Sequence, residues 1–351
     1  MIQRYFHNWE QQLADVSKHE RLVRPFEWGE DWIDEPMDKP SGLSKVLAWV
    51  DRVMQDTDAF YTPEPARYTF TTALPSVQAS GEAGLLTYAS GFTTPHESNN
   101  TVQARYFPAD PIVKPTAGAP RRAVVVLAQW NSNANGHVGL CKILAKLGIA
   151  SLRISLPYHD ARMPPELTRA DYIVSSNVVR TLQVCRQAVR DVRLALWWLR
   201  DQGYDRLGLL GTSLGSCLSL LTTCHEPLVK AQALNHVSPF FSDVVWRGLS
   251  TEHVREGLES HLTVDQLREL WRPISPWSFL DRLHDRQTLL VYAKYDLTFP
   301  VDLSVKLVEE LRRRQYPVKV SVLPCGHYST GASPYKYLDA WYLGRFLSSK
   351  L

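Results

Sequence analysis

The chain has 351 residues, 44% of them hydrophobic and 11 of them tryptophan, enough to bury a large core as one enlarged domain. A formal net charge of +3, from 39 basic and 36 acidic residues, gives no general field for nucleic acid or an anionic membrane, so neither is expected as a partner. No run reaches the roughly 20 apolar residues of a membrane span, and Met1 to Glu10 lack the apolar core of a signal peptide, so a cytoplasmic protein is expected. The five cysteines, 141, 185, 217, 224 and 325, are scattered and odd in number, and read as reduced core thiols rather than a disulfide framework.

Residues 1–66 read as an extension, partly helical and punctuated by Pro36, Pro40, Pro63 and Pro65. From Ser41 to Met54, apolar residues at helical spacing mark one buried face, and Trp9, Trp28, Trp32 and Trp49 are expected to pack on the main domain. The extension is also a candidate surface for self-association. Short β-rich pieces follow at 67–73, 85–89 and 102–107, expected as antiparallel strands at a sheet edge, then a Pro-rich connection over 108–120. Strand 123–128 shows no polar alternation, as expected for a strand covered on both faces. Helix 136–147, strand 149–154, a helical stretch over 170–202, strand 206–210, strand 231–237, a mainly helical insertion at about 239–286, strand 288–293, helix 301–314, strand 318–323 and a last helix from 334 complete the chain. This alternation predicts an α/β fold with a mostly parallel sheet and helices on both faces. Arg186, Arg190, Arg193 and Arg200 share a face of the long helix and read as a solvated stripe.

Chemistry concentrates at Gly211-Thr212-Ser213-Leu214-Gly215, where an apolar strand turns into a helix. A tight strand-to-helix turn pushes its apex side chain away from the sheet, and glycines on either side remove Cβ atoms that would clash. Ser213 there is a candidate nucleophile at a helix N-terminus. Acyl transfer by serine needs a histidine to take the proton and a carboxylate to orient that histidine. Asp296 follows the strand Leu289 to Ala293, and His327 follows the last strand in Pro324-Cys325-Gly326-His327. All three leave carboxyl ends of strands expected to be parallel, so they can meet. Asp243 is a rival acid, but it sits in the apolar 240–246 segment. His137, His159, His225 and His236 also lie near element ends; His159 is expected to be structural, and none makes a metal site at ligand spacing. Cys325 is expected to be a packing residue.

These motifs resemble the α/β-hydrolase family over about residues 67–351, with 124–131 similar to the strand and oxyanion loop of dienelactone-hydrolase-like esterases. The resemblance implies an α/β-hydrolase fold, a Ser213–His327–Asp296 triad and a helical cap made by the insertion. Where many members carry His-Gly at the oxyanion loop, this chain has Gln129-Trp130-Asn131. The hole is built from backbone amides, here assigned to Leu214 with Asn131, or with Trp130 as the alternative. The expected function is a serine hydrolase acting on a carboxylic ester through an acyl-enzyme, with no cofactor and no metal. An acyltransferase with the same residues, or a catalytically silent binding protein, is the alternative. If the insertion caps the site, Phe240, Phe241, Trp246, Trp271, Trp277 and Phe279 favour a small-molecule acyl substrate with an apolar part.

Overall fold

The computed structural model describes residues 1–79, 81–110, 112 and 118–351; the Pro-rich connection therefore falls partly outside the described residues. Nine strands form one sheet: β1 (Tyr68–Thr72), β2 (Gly84–Ala89), β3 (Thr101–Phe107), β4 (Arg122–Leu127), β5 (Ala150–Ile154), β6 (Arg206–Thr212), β7 (Val229–Asn235), β8 (Gln287–Ala293) and β9 (Val318–Leu323). Their order is β1-β2-β3-β5-β4-β6-β7-β8-β9. The first three are an antiparallel meander joined antiparallel to β5, and every remaining pair is parallel. This is the α/β-hydrolase fold, with its antiparallel strands at one edge as expected.

The longer helices are α1 (Ile2–Asp15), α2 (Leu43–Gln55), α3 (Val138–Lys146), α4 (Val178–Asp201), α5 (Leu214–His225), α6 (Val301–Arg313) and α7 (Tyr335–Lys350). The uniform apolar run of β4 is explained by two cores. Val125 and Leu127 point into a large cluster with α4 and α5, whereas Val124 and Val126 point into a smaller one with α3 and α7.

Three expectations are corrected. Helix α4 starts at Val178 rather than near 170, because the Asn177 side chain accepts from the Arg180 N–H and caps it. The arginines of α4 are not a solvated stripe, for Arg186 and Arg193 are buried. Arg186 Nε and Arg190 Nε donate to the Phe60 carbonyl at 2.7 and 2.9 Å, and Arg193 Nη1 to the Tyr61 carbonyl at 2.7 Å. These acceptors are C-terminal carbonyls of the short helix Thr57–Tyr61, which have no intrahelical donors. Only Arg200 of the four is exposed.

The third correction concerns the insertion. Two of its aromatics pack away from the site, for Trp271 is fully buried and donates to the Val178 carbonyl and Phe279 lies edge-on to the His225 ring, whereas Phe241, Val244, Val245, Ser250 and Thr251 line the small pocket beside Ser213. Part of the extension joins the same core. Val46, Trp49, Val50, Phe60 and Tyr61 belong to the large cluster, and Tyr61 donates its hydroxyl to the Pro273 carbonyl at 2.7 Å. Among the described residues, no helix is long and apolar enough to cross a membrane.

Candidate active site

Ser213 sits between the last residue of β6 and the first of α5 with φ 56° and ψ −121°, a left-handed conformation rare for a residue with a Cβ. The flanking glycines allow it. A Cβ on Gly211 would lie 2.3 Å from the Gly215 carbonyl oxygen, and one on Gly215 would lie 2.4 Å from that of Leu127. The turn is fixed from behind by Ser213 N–H donating to the Asn235 carbonyl at 2.8 Å, and by Ser216 Oγ donating to the Ser213 carbonyl at 2.7 Å.

Asp296 follows β8 and is almost fully buried. Its Oδ1 accepts the Thr298 and Phe299 amides at 2.8 and 2.7 Å. Its Oδ2 is shared by two imidazoles: His327 Nδ1 at 3.0 Å and His236 Nδ1 at 2.8 Å, with the rings 4.4 Å apart. Burial alone would raise the Asp296 pKa, but His327 and His236 hold the carboxyl well below the usual range. The imidazoles are driven apart. Burial favours neutral His327, yet Asp296, and more weakly Glu10, raise it above the ordinary histidine value. For His236, burial and the charge of His327 outweigh Asp296 and lower it. Among the described residues its Nε2 is buried without a partner, and its side chain is 1% exposed against 12% for His327.

Ser213, His236 and His327 line one cavity of about 750 Å³, roofed in part by Ser17, Glu20 and Arg21 of the extension. That volume suits a small-molecule site. No hydrogen bond joins Ser213 Oγ to either imidazole among the described residues. A side pocket of about 30 Å³ opens beside Ser213, lined by Trp130, Phe241, Val244, Val245 and Phe299. Of the insertion aromatics expected over the site, Phe241 alone lines either cavity.

The loop after β4 is pinned by side chains. Trp130 Nε1 donates to the Ala170 carbonyl at 2.9 Å, and Asn131 Oδ1 accepts the Ala170 amide at 2.8 Å. The Asn131 amide, favoured from sequence as an oxyanion donor, is engaged: it donates to His159 Nε2 at 3.0 Å. Burial holds the His159 pKa down to about 4, so the ring is neutral and can accept. Its role is structural, as expected. The amides of Trp130 and Leu214 have no acceptor among the described residues, which leaves Trp130, the alternative, free beside Leu214.

Asp243 lies in the insertion and is paired with Arg268 at 2.6 Å, away from both imidazoles. Cys325 is buried, and burial pushes its thiol up to about 12, which suits packing. Among the described residues, the cluster close enough to hold a metal ion is His236, Asp296 and His327. Both Nδ1 atoms there already face one carboxylate oxygen as hydrogen-bond donors. His236 carried no assigned role in the sequence. It lay near the end of the strand expected over 231–237, and the structure, which ends β7 at Asn235, places it directly after that strand.

The fold has many solved counterparts. An acetyl xylan esterase from Paenibacillus sp. R4 superposes with TM-score 0.60 at 13% identity, over 91% of this chain and 98% of that one. A Pyrococcus furiosus esterase gives 0.53 at 15%, over 82% and 97%. A Pyrococcus horikoshii acylaminoacyl peptidase gives 0.57 at 12%, over 84% of this chain but 43% of that one, so the chain spans less than half of that peptidase. At these identities the likeness is one of fold. No curated protein matches the sequence. The family described as alpha/beta hydrolase domain containing 18 matches residues 92–271, which hold Ser213, His236 and the loop 129–131 but neither Asp296 nor His327, and the chain belongs to that family.

Proposed function

We propose that the chain is a serine hydrolase that cleaves a carboxylic ester or related acyl bond through an acyl-enzyme. The observation that carries this is the convergence of a strained Ser213 and an Asp296-bound His327 on one cavity. Ser213 Oγ attacks the carbonyl carbon while His327 Nε2 takes its proton. Asp296 fixes the ring with Nδ1 protonated and stabilises the imidazolium. The Leu214 and Trp130 amides receive the oxyanion, and the imidazolium returns its proton to the leaving group. Water, deprotonated by the same ring, then releases the acid and frees Ser213.

His327 is the base in this reading rather than His236, because both line the cavity but the His327 side chain is the more exposed, 12% against 1%. The side pocket beside Trp130 and Phe241 accommodates an apolar part of the acyl group. The esterases and peptidase that share the fold support acyl-bond hydrolysis as the reaction class.

A fluorophosphonate probe followed by mass spectrometry tests the proposal, alongside a panel of chromogenic esters of varied acyl length. Labelling at Ser213, with labelling and turnover both lost in Ser213→Ala, is the expected result. No labelling and no turnover would instead favour a ligand-binding protein. Transfer to an added alcohol outrunning hydrolysis would favour an acyltransferase.

A further inference from the structure

Helix α1 touches both loops that carry the acid and the base. Phe6 stacks on Tyr295, the residue before Asp296, with ring centroids 4.7 Å apart and planes at 7°. Glu10 is fully buried against the segment after His327, where its carboxylate accepts the Tyr328 amide at 2.7 Å, the Ser329 amide at 2.9 Å and the Ser329 hydroxyl at 2.6 Å. It also presses on the residue before His327: a Cβ on Gly326 would lie 2.2 Å from Glu10 Cδ. The Tyr295 amide donates to the Cys325 carbonyl at 2.9 Å, so the acid and histidine loops are tied together beneath the helix.

A helix can dock through apolar contacts alone, and Phe6 and Ala14 are buried on this face. A carboxylate is a costly addition there. Among the described residues, neither arginine nor lysine pairs with Glu10, so its desolvation is offset only by those three donors. Its charge favours the imidazolium of His327, more weakly than Asp296 does, and also that of His236. We propose that Glu10 is a positioning residue for His327: it holds the 326–329 backbone so that the imidazole stays on Asp296, and it supplies a second negative charge toward the imidazolium. This rests on the assignment of His327 as the base. The other titratable groups around that ring are Asp296 after β8, His236 after β7 and the adjoining Tyr328. Arg21 reaches the Tyr328 hydroxyl at 3.2 Å. The extension is thereby part of the acid–base machinery's support, although no residue before 17 lines the cavity.

Glu10→Gln, nearly the same in shape, is the test, with kcat and KM measured across pH on the ester found by screening. The expected result is a fall in kcat of about tenfold with KM nearly unchanged, in the range of supporting contacts around catalytic groups. The acidic limb of the kcat/KM profile should also move to lower pH, because the imidazolium loses a stabilising anion. An independent readout is the NMR titration of the His327 ring in Ser213→Ala protein with and without Glu10→Gln, which should move down by about half a unit or more, as loss of a nearby charge requires. An unmoved limb and an unmoved titration overturn the proposal, even if activity falls in step with thermal stability. If Ser213→Ala is inactive while Glu10→Gln matches wild type, the triad survives and the role of Glu10 does not. If Ser213→Ala still turns over, the triad assignment fails, and the titration still decides whether Glu10 acts on His327.

Discussion

The carboxyl ends of β7 and β9 each deliver an imidazole to the same oxygen of Asp296, yet the two sites differ in access. His236, directly after β7, is locked by its own amide donating to the Val291 carbonyl and by its carbonyl accepting Ser216 Oγ, and its side chain is almost wholly buried. His327, after β9, is stacked on Phe299, leans on a loop clamped from outside by Glu10, and keeps contact with the cavity. In the proposed mechanism one carboxylate serves a histidine that exchanges protons and a histidine that holds the carboxylate still. Asp296 has every acceptor direction used: two backbone amides on Oδ1 and two imidazoles on Oδ2.

The largest expected effect separates the two rings. His327→Ala should lower kcat by about 10⁴-fold or more, and His236→Ala only about tenfold; comparable losses would end the division of labour. The pH profiles sharpen it. His236 donates a hydrogen bond that lowers the basicity of Asp296, so His236→Ala should move the acidic limb of kcat/KM to higher pH. Glu10→Gln should move it the other way. A smaller effect is expected on the oxyanion side: His159→Ala frees the Asn131 amide and loosens its loop, and kcat should fall about tenfold or less. A loss near the 10² to 10³ typical of removing an oxyanion donor (about 3–4 kcal/mol) would show that the pinned loop conformation is itself essential.

The last effect bears on stability rather than on turnover and belongs to the β7 end alone. Asp339 of α7 accepts from Asn235 Nδ2 at 2.9 Å, and burial raises its pKa to about 7. Between the unfolded value near 4 and that folded value, the native state binds the extra proton, so stability falls as pH rises through this window. The contribution is at most about 4 kcal/mol. Asp339→Asn should flatten the decline of Tm between about pH 4 and 7, and thermal melts across that range check it.

Much of this was legible in the chain. The strands were expected within about two residues because buried parallel strands are short apolar runs bounded by turns. The serine, the acid and the histidine were expected to meet because each follows a strand in a sheet whose direction the β-α rhythm fixes. The start of α4 was misplaced because residues 170–177, apart from Ala170 poor helix formers, were read into the helix, and they are held in turns by contacts with residues 24–27 and 131. The arginines of α4 looked solvated because a helical stripe of charge carries no mark of the carbonyls it will meet. Those carbonyls lie more than 120 residues away in sequence.

By itself the sequence determined the strand order's raw material, the elbow at Ser213 and the family to which the chain belongs, since local periodicity and a glycine-flanked turn are short-range properties. Tertiary structure alone decided that His236 shares Asp296, that His159 occupies the Asn131 amide, that the insertion packs beside α5, and that α1 braces the histidine loop. Each of these pairs groups separated by tens to hundreds of residues, and such partners are chosen by how faces fit and which buried donors still need acceptors. No window of sequence contains that information.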